Sequence, residues 1–374
     1  MPSFTFKLDC KMLSLSVNRL RSVQMIAAVI MAVGFVSCRS NPSAPPVETP
    51  QSTTGVYVVN EGNFMRGNST LTVYLKDSSK AYQDVFAAVN GRPLGDTGND
   101  IVMYGGKAYV VMNGSQKIEV ISLTDHRSVG TLALSGIRSP YKLAIVNEGR
   151  AYVTNLSDTS VTSFNPSTLQ ILSDRIRVGK NPMGILYANG KIYVCNSGFG
   201  FDSTVTVLNA TTGALIRTVV VGDSPSEIGL GANNEVYVKC DGRSNWTDPT
   251  KDTPGALVAI NADNDVIIDK VVLPIDTFGH PGRLATSVKG FGFFVSKNGI
   301  QQFRLNNSRL ELNAALISSM KPYGLAYDEV GMLLYATDAK DYVQAGQVIG
   351  MNVSGVEQFR FAAGIIPGSI AFKR

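Results

Sequence analysis

The sequence predicts an all-β chain folded as a seven-bladed β-propeller of four-stranded blades, and three observations carry that prediction. A short phrase returns seven times: Tyr57-Val58-Val59-Asn60, Tyr109-Val110-Val111-Met112, Tyr152-Val153-Thr154-Asn155, Tyr193-Val194-Cys195-Asn196, Tyr237-Val238-Lys239-Cys240, Phe294-Val295-Ser296-Lys297 and Tyr335-Ala336-Thr337-Asp338. Successive aromatics lie 52, 43, 41, 44, 57 and 41 residues apart, a period of about 40–45 stretched by two insertions, as four-stranded blades require. The first and last copies are also out of phase. Gly55–Val59 is a second-strand phrase with no first strand before it, and Pro367–Phe372 is a first-strand phrase with no second strand after it. Pairing Pro367–Phe372 with the sheet of Gly55–Phe86 closes the ring and leaves no open edge.

Within a unit the elements follow from turn chemistry. In the stretch from Asn181 to Gly222, a proline opens the apolar run Pro182–Tyr187, and Asn189-Gly190 is a tight-turn dipeptide. Lys191–Cys195, Thr204–Leu208 and Leu215–Val221 supply three more strands, the last two joined by the Asn209–Gly213 turn. Other first strands are expected from Asn99, Pro140, Pro225, Pro281, Pro322 and Pro367, and second strands after Gly106, Gly149, Asn234, Gly290 and Gly331.

Residues 1–37 read as a signal segment rather than as part of the fold. Arg19 and Arg21 flank a run from Val23 to Val36 that is apolar apart from Gln24, too short for a membrane span but suited to a signal core. Phe35-Val36-Ser37-Cys38 has the form of a lipobox, so Cys38 is the expected lipidation site, and residues 38–54, rich in Ser, Pro and Thr, read as a flexible tether. The propeller then spans 55–374. The formal net charge is +5, but the leader holds Lys7, Lys11, Arg19 and Arg21 against Asp9, which leaves +2 for the rest. No cationic run interleaved with aromatics is present, so nucleic acid is not an expected partner. Cys195 and Cys240 have the strand parity to face each other across one inter-blade seam. Packed sheets lie about 10 Å apart and a disulfide needs Cα atoms within about 7 Å, so two buried free thiols are expected, with a bridge as the alternative.

The Tyr-Val-Thr-Asn phrase and the Val-x-Val strand after it resemble the bacterial YVTN-repeat, or YncE-like, propeller family. The opening Tyr57-Val58-Val59-Asn60-Glu61-Gly62-Asn63-Phe64 resembles Bacteroidetes lipoprotein members. The resemblance covers residues 55–374. It implies a cell-envelope protein anchored by lipid to the outer membrane. Some members resemble lipoproteins that capture cobalamin beside a transporter, so the implied partners are a small ligand or an envelope protein such as a transporter. Arg39–Ala44 carries no Asp or Glu where surface-exported members often carry an acidic stretch, which leaves open the face of the membrane. A monomeric propeller without cofactor or metal is expected.

In this architecture the loops before first strands and after second strands share one face around a central channel, the default binding face. Loops of the first kind should present Asp100, Lys142, Glu227, Arg283 and Tyr323. Those of the second kind should present Asn63, Phe64, Asn155, Asn196, Phe199, Phe201, Trp246 and Tyr342. These thirteen residues are the candidate ligand-binding set. Its aromatics are the sharpest signal, because Phe199, Phe201 and the sole tryptophan, Trp246, fall in loop insertions where no blade core needs them. Asp241, Asn245, Asp248 and Asp252 could offer oxygens to calcium, but their spacing is not that of an EF-hand. His126 is expected exposed on the opposite face. His280 borders the channel mouth, and a lyase or hydrolase using it as a base is the enzymatic alternative, without a second histidine or a carboxylate dyad to support it. The expected function is ligand or partner capture without catalysis; a purely structural envelope propeller is the other alternative.

Overall fold

A computed structural model describes residues 50, 52–134, 136 and 138–374; the signal segment, Cys38 and the tether as far as residue 49 lie outside them. Seven four-stranded antiparallel sheets are present, and the chain is a seven-bladed β-propeller. The inner strands are Pro367–Lys373 (blade 1), Gly98–Tyr104, Pro140–Asn147, Pro182–Ala188, Pro225–Leu230, Leu284–Ser287 and Leu325–Asp328 (blade 7). Ring closure is the expected one: Pro367–Lys373 pairs antiparallel with Gly55–Asn60, from Gly55↔Lys373 to Asn60↔Pro367. Turn chemistry also behaves as read. In blade 4, Asn189 and Gly190 both take positive φ, and Ala188 pairs with Lys191 across them.

Three expectations need correction. The inner strands of blades 6 and 7 begin at Leu284 and Leu325 rather than at Pro281 and Pro322, because regular pairing with the second strand starts only at Leu284↔Phe294 and Leu325↔Ala336. Phe86 is not in a strand. Blade 1 has a short outer strand, Lys80–Tyr82, followed by a helix, Val85–Asn90, capped by the Asp84 side chain and ended by Gly91 at φ 65°. That helix drives Phe86 into the seam between blades 1 and 2. His126, the third departure, is fully buried.

The described core divides into seven clusters, one at each seam between consecutive blades. Strand alternation makes the repeated phrase a cross-blade connector. In six of the seven copies its first residue faces the next blade and its second faces the previous one, so Tyr57 lies in the seam of blades 1 and 2 while Val58 lies in that of blades 7 and 1. In blade 6 the phrase is displaced by one residue from the sequence reading: Phe293 faces blade 7 and Phe294 faces blade 5, so Phe293 is the equivalent of the tyrosines. At four consecutive seams the tyrosine hydroxyl reaches the third-to-fourth-strand turn of the next blade. Tyr57 meets His126 Nε2 at 2.7 Å, Tyr109 donates to the Pro166 carbonyl at 3.0 Å, Tyr152 donates to the Ala210 carbonyl at 2.9 Å, and Tyr193 donates to Asp265.

The third position bonds the next blade nearer the axis. Thr154, Lys239 and Thr337 donate to the carbonyls of Met183, Pro281 and Pro367. The fourth position ties its own blade together, as Asn60, Asn155 and Asn196 donate to hydroxyls of the third strand. Cys195 and Cys240 are both free and buried, in the one seam between blades 4 and 5, as parity and sheet spacing required.

Candidate functional site

Because all second strands run in one sense, the loops that follow them and those that precede the inner strands emerge together on one face. Around the channel on that face stand Ser369, Asp100, Lys142, Met183, Glu227, Arg283 and Tyr323, one from each blade. The four charges pair between neighbouring blades, not across the axis. Lys142 lies 3.1 Å from Asp100, and Arg283 lies 3.1 Å from Glu227.

Both pairs repeat one geometry. The acid also accepts the backbone N–H after the partner cation, Leu143 for Asp100 and Leu284 for Glu227. Burial pushes the Glu227 carboxyl up, but the charges of Lys239, Arg283 and Lys142 more than reverse this and hold it below its ordinary range. Burial likewise opposes the charge on Arg283, yet Glu227, Tyr141, Tyr323 and Glu61 hold its guanidinium above the ordinary value. Glu61 goes the other way. Burial raises its carboxyl, opposed by the Tyr323 hydroxyl, which donates to it at 2.8 Å, and by Arg283 and Lys142. The Arg283 guanidinium also lies 5.0 Å from the centre of the Tyr323 ring.

Above this ring a cavity of about 370 Å³ opens between blades 4 and 7, with Glu227, Lys239, Arg283, Tyr323 and Tyr342 in its wall. Its rim carries Lys321 and Lys340, both exposed. Lys239 was invisible to the site reading, although a lysine where the other copies have Val, Thr, Cys or Ser was a usable signal. It is buried against Asp241 at 2.6 Å.

The loop aromatics gather in two places. On blades 7 and 1, Asn63 Nδ2 donates to the Tyr342 carbonyl at 2.8 Å and holds the two loops together, while Tyr342 meets Tyr323 edge-on at 5.8 Å. Phe64 and Tyr342 stay exposed there, beside Met65 and Val343. On blades 4 and 5, Phe199, Phe201 and Trp246 line one cleft of about 580 Å³ with Arg243, Asn245, Thr247 and Lys251. Exposure is 60% for Phe199, 72% for Phe201 and 94% for Trp246, so these rings cover no core. Gly200 makes the cleft possible: a Cβ there would stand 2.8 Å from Arg243 Cγ.

Two candidates do not belong to this surface. Asn155 and Asn196 are fully buried, and their amides donate to Ser160 and Thr162 and to Thr204 and Thr206. The last residue of a second strand turns back into its own blade, so these side chains serve the fold. The acidic insertion is likewise occupied internally. Asp248 accepts from Thr250, Asp252 from Asn245, and Asp241 from Ser226 and Lys239. No cluster of metal-ligating side chains occurs among the described residues. His280 Nδ1 lies 2.8 Å from the Asp241 carbonyl and Nε2 3.2 Å from Asp252, so both nitrogens brace the 241–255 loop.

A family profile described as a domain of unknown function, DUF5074, matches residues 54–303. No curated protein matches the sequence. Among solved structures, similarity is found to a quinonprotein alcohol dehydrogenase-like protein of Bacteroides thetaiotaomicron (18% identity, 86% of this chain and 79% of that one, TM-score 0.64). It extends to a Bacteroides uniformis protein provisionally named a 6-phosphogluconolactonase (13%, 86% and 100%, TM-score 0.65). A third is virginiamycin B lyase from Staphylococcus aureus (14%, 76% and 92%, TM-score 0.55). At such identities the likeness carries the fold alone.

Proposed function

The chain belongs to the DUF5074 family, and from that premise we propose that it is a binding protein of the cell envelope that captures a small ligand or a partner protein on its loop face. One observation carries the reading. Every exposed phenylalanine and tryptophan among the described residues (Phe64, Phe199, Phe201 and Trp246) lies on loops of that single face. A rigid scaffold presenting unneeded aromatics on adjacent loops is the usual form of a recognition surface.

Backbone strain adds support. Met65, Phe199 and Tyr342 on these loops hold φ of 61°, 48° and 64°, a left-handed conformation that costs a bulky residue about 1–2 kcal/mol. Burial does not repay it, since all three side chains are exposed.

The sharpest version, suggested by the family resemblance, is capture of a cobalamin-like nutrient beside an outer-membrane transporter. Calorimetry with corrinoids, haem and oligosaccharides tests it. A bound ligand should lose more than about 1 kcal/mol of affinity on Trp246→Ala. If no probe gives heat and purified envelope proteins do not bind either, the capture reading fails.

A further inference from the structure

We propose that the cleft on blades 4 and 5 is a saccharide site, taking a neutral pyranose between the aromatic rings of Phe199, Phe201 and Trp246; this rests on the reading of the loop face as a capture surface. The ligand class follows from what the cleft offers and from what each alternative would leave unsatisfied. Its volume of about 580 Å³ falls within the range of small-molecule sites, roughly 300–1,000 Å³. Three exposed rings supply apolar planes. The same wall holds hydrogen-bonding groups with spare capacity. The Arg243 Nε is buried without a partner, and the Asn245 carboxamide uses its oxygen for Thr247 and Asp248, which leaves its N–H₂ group to spare.

A purely apolar ligand would strip water from the Asn245 amide and replace it with nothing, at about 1–3 kcal/mol, and would leave the Arg243 Nε unpartnered. A cation would suit the rings but meets Arg243 and Lys251 in the same wall. An anion finds little net attraction, because Lys251 is paired with Asp248 at 3.1 Å and Asp252 lies in the field of Arg243. A pyranose satisfies all of these conditions. One face of the sugar is C–H and lies flat on an aromatic ring, its edge is hydroxyl and meets the amide and guanidinium, and it carries no charge. The strain at Phe199 gains a purpose in this arrangement, since the residue held at a left-handed φ of 48° carries an exposed ring that lines the cleft.

The sole tryptophan makes the test specific to this cleft, because all tryptophan fluorescence comes from Trp246. The protein is titrated with maltoheptaose, laminarihexaose and hexa-N-acetylchitohexaose, all neutral, to ~10 mM. The expected result is a blue shift and protection from acrylamide with at least one of them, weakened about tenfold or more by Phe201→Ala. Phe199→Gly removes a ring and relieves the strained backbone, so it should weaken binding comparably while leaving the melting temperature unchanged or higher. A merely structural Phe199 would instead lower it. If none of the sugars protects Trp246 while a corrinoid, haem or a partner protein does, the saccharide assignment is overturned and the capture reading stands. Sugar binding that leaves Trp246 fully quenchable overturns the placement in this cleft. If nothing binds, both readings fall.

Discussion

Acidification from neutrality towards pH 4 protonates imidazoles in the unfolded chain, and the fold has no accommodation for a proton on His126. The ring is fully buried, stacked on Tyr57 with centroids 5.6 Å apart, and its Nε2 meets the Tyr57 hydroxyl at 2.7 Å. Burial raises the Tyr57 phenol, which therefore keeps its proton and donates it. Nε2 is then the acceptor, and Nδ1 carries the ring proton without a partner. Burial first, and the Lys373 charge second, push His126 down from 6.5 to about 4.

The unfolded chain thus binds this proton before the folded one does. Stability from this group is complete above about 6.5, declines as the pH falls, and is fully lost below about 4. A shift of that size corresponds to ~3 kcal/mol, a large part of a typical domain's net stability. The assay is urea unfolding across this range for the native protein and for His126→Gln, which keeps a polar group but cannot titrate. Carboxylates titrate in both proteins, so the difference between the two curves isolates the histidine. The native protein should lose about 2–3 kcal/mol more than the variant. Parallel curves, or a His126 imidazole resonance that titrates near 6.5, would refute the reasoning.

Two further outcomes are expected. Tyr152→Phe keeps the ring in its seam but leaves the Ala210 carbonyl without its 2.9 Å donor, and should cost about 1–2 kcal/mol by denaturant titration; a neutral result would mean that the hydroxyl connection contributes nothing. Deleting residues 367–374 bares the edge of Gly55–Asn60, so light scattering should report association or collapse; a monomeric, cooperatively melting product would contradict the closure role.

Blade count and closure were legible because buried aromatics return with the period of the blade and the two ends are visibly out of phase. The individual seams were not. His126 looked exposed because its local sequence, Thr124-Asp125-His126-Arg127, is a polar turn. What buries it is Tyr57, 69 residues away, together with the helix that holds Asn90 against its carbonyl. Asn155 and Asn196 were misplaced for a related reason. Strand alternation gives the face of a side chain, but not whether a third-strand hydroxyl waits beside it. The channel charges were found in the right order, yet only the geometry pairs each acid with the cation of the following blade and with the N–H beyond it. Phe199, Phe201 and Trp246 were identified by their loop context alone, and the fold brings them to one cleft.

The strand Pro367–Lys373 also sets a clock. Until it arrives, blade 1 is a sheet of three strands whose innermost ladder is open, and the first-made part of the propeller waits for the last-made part. A chain synthesised or translocated from its N-terminus therefore stays unlatched until nearly every residue has emerged, whatever the other six blades have achieved. Premature completion of the ring is prevented by the order of the sequence itself.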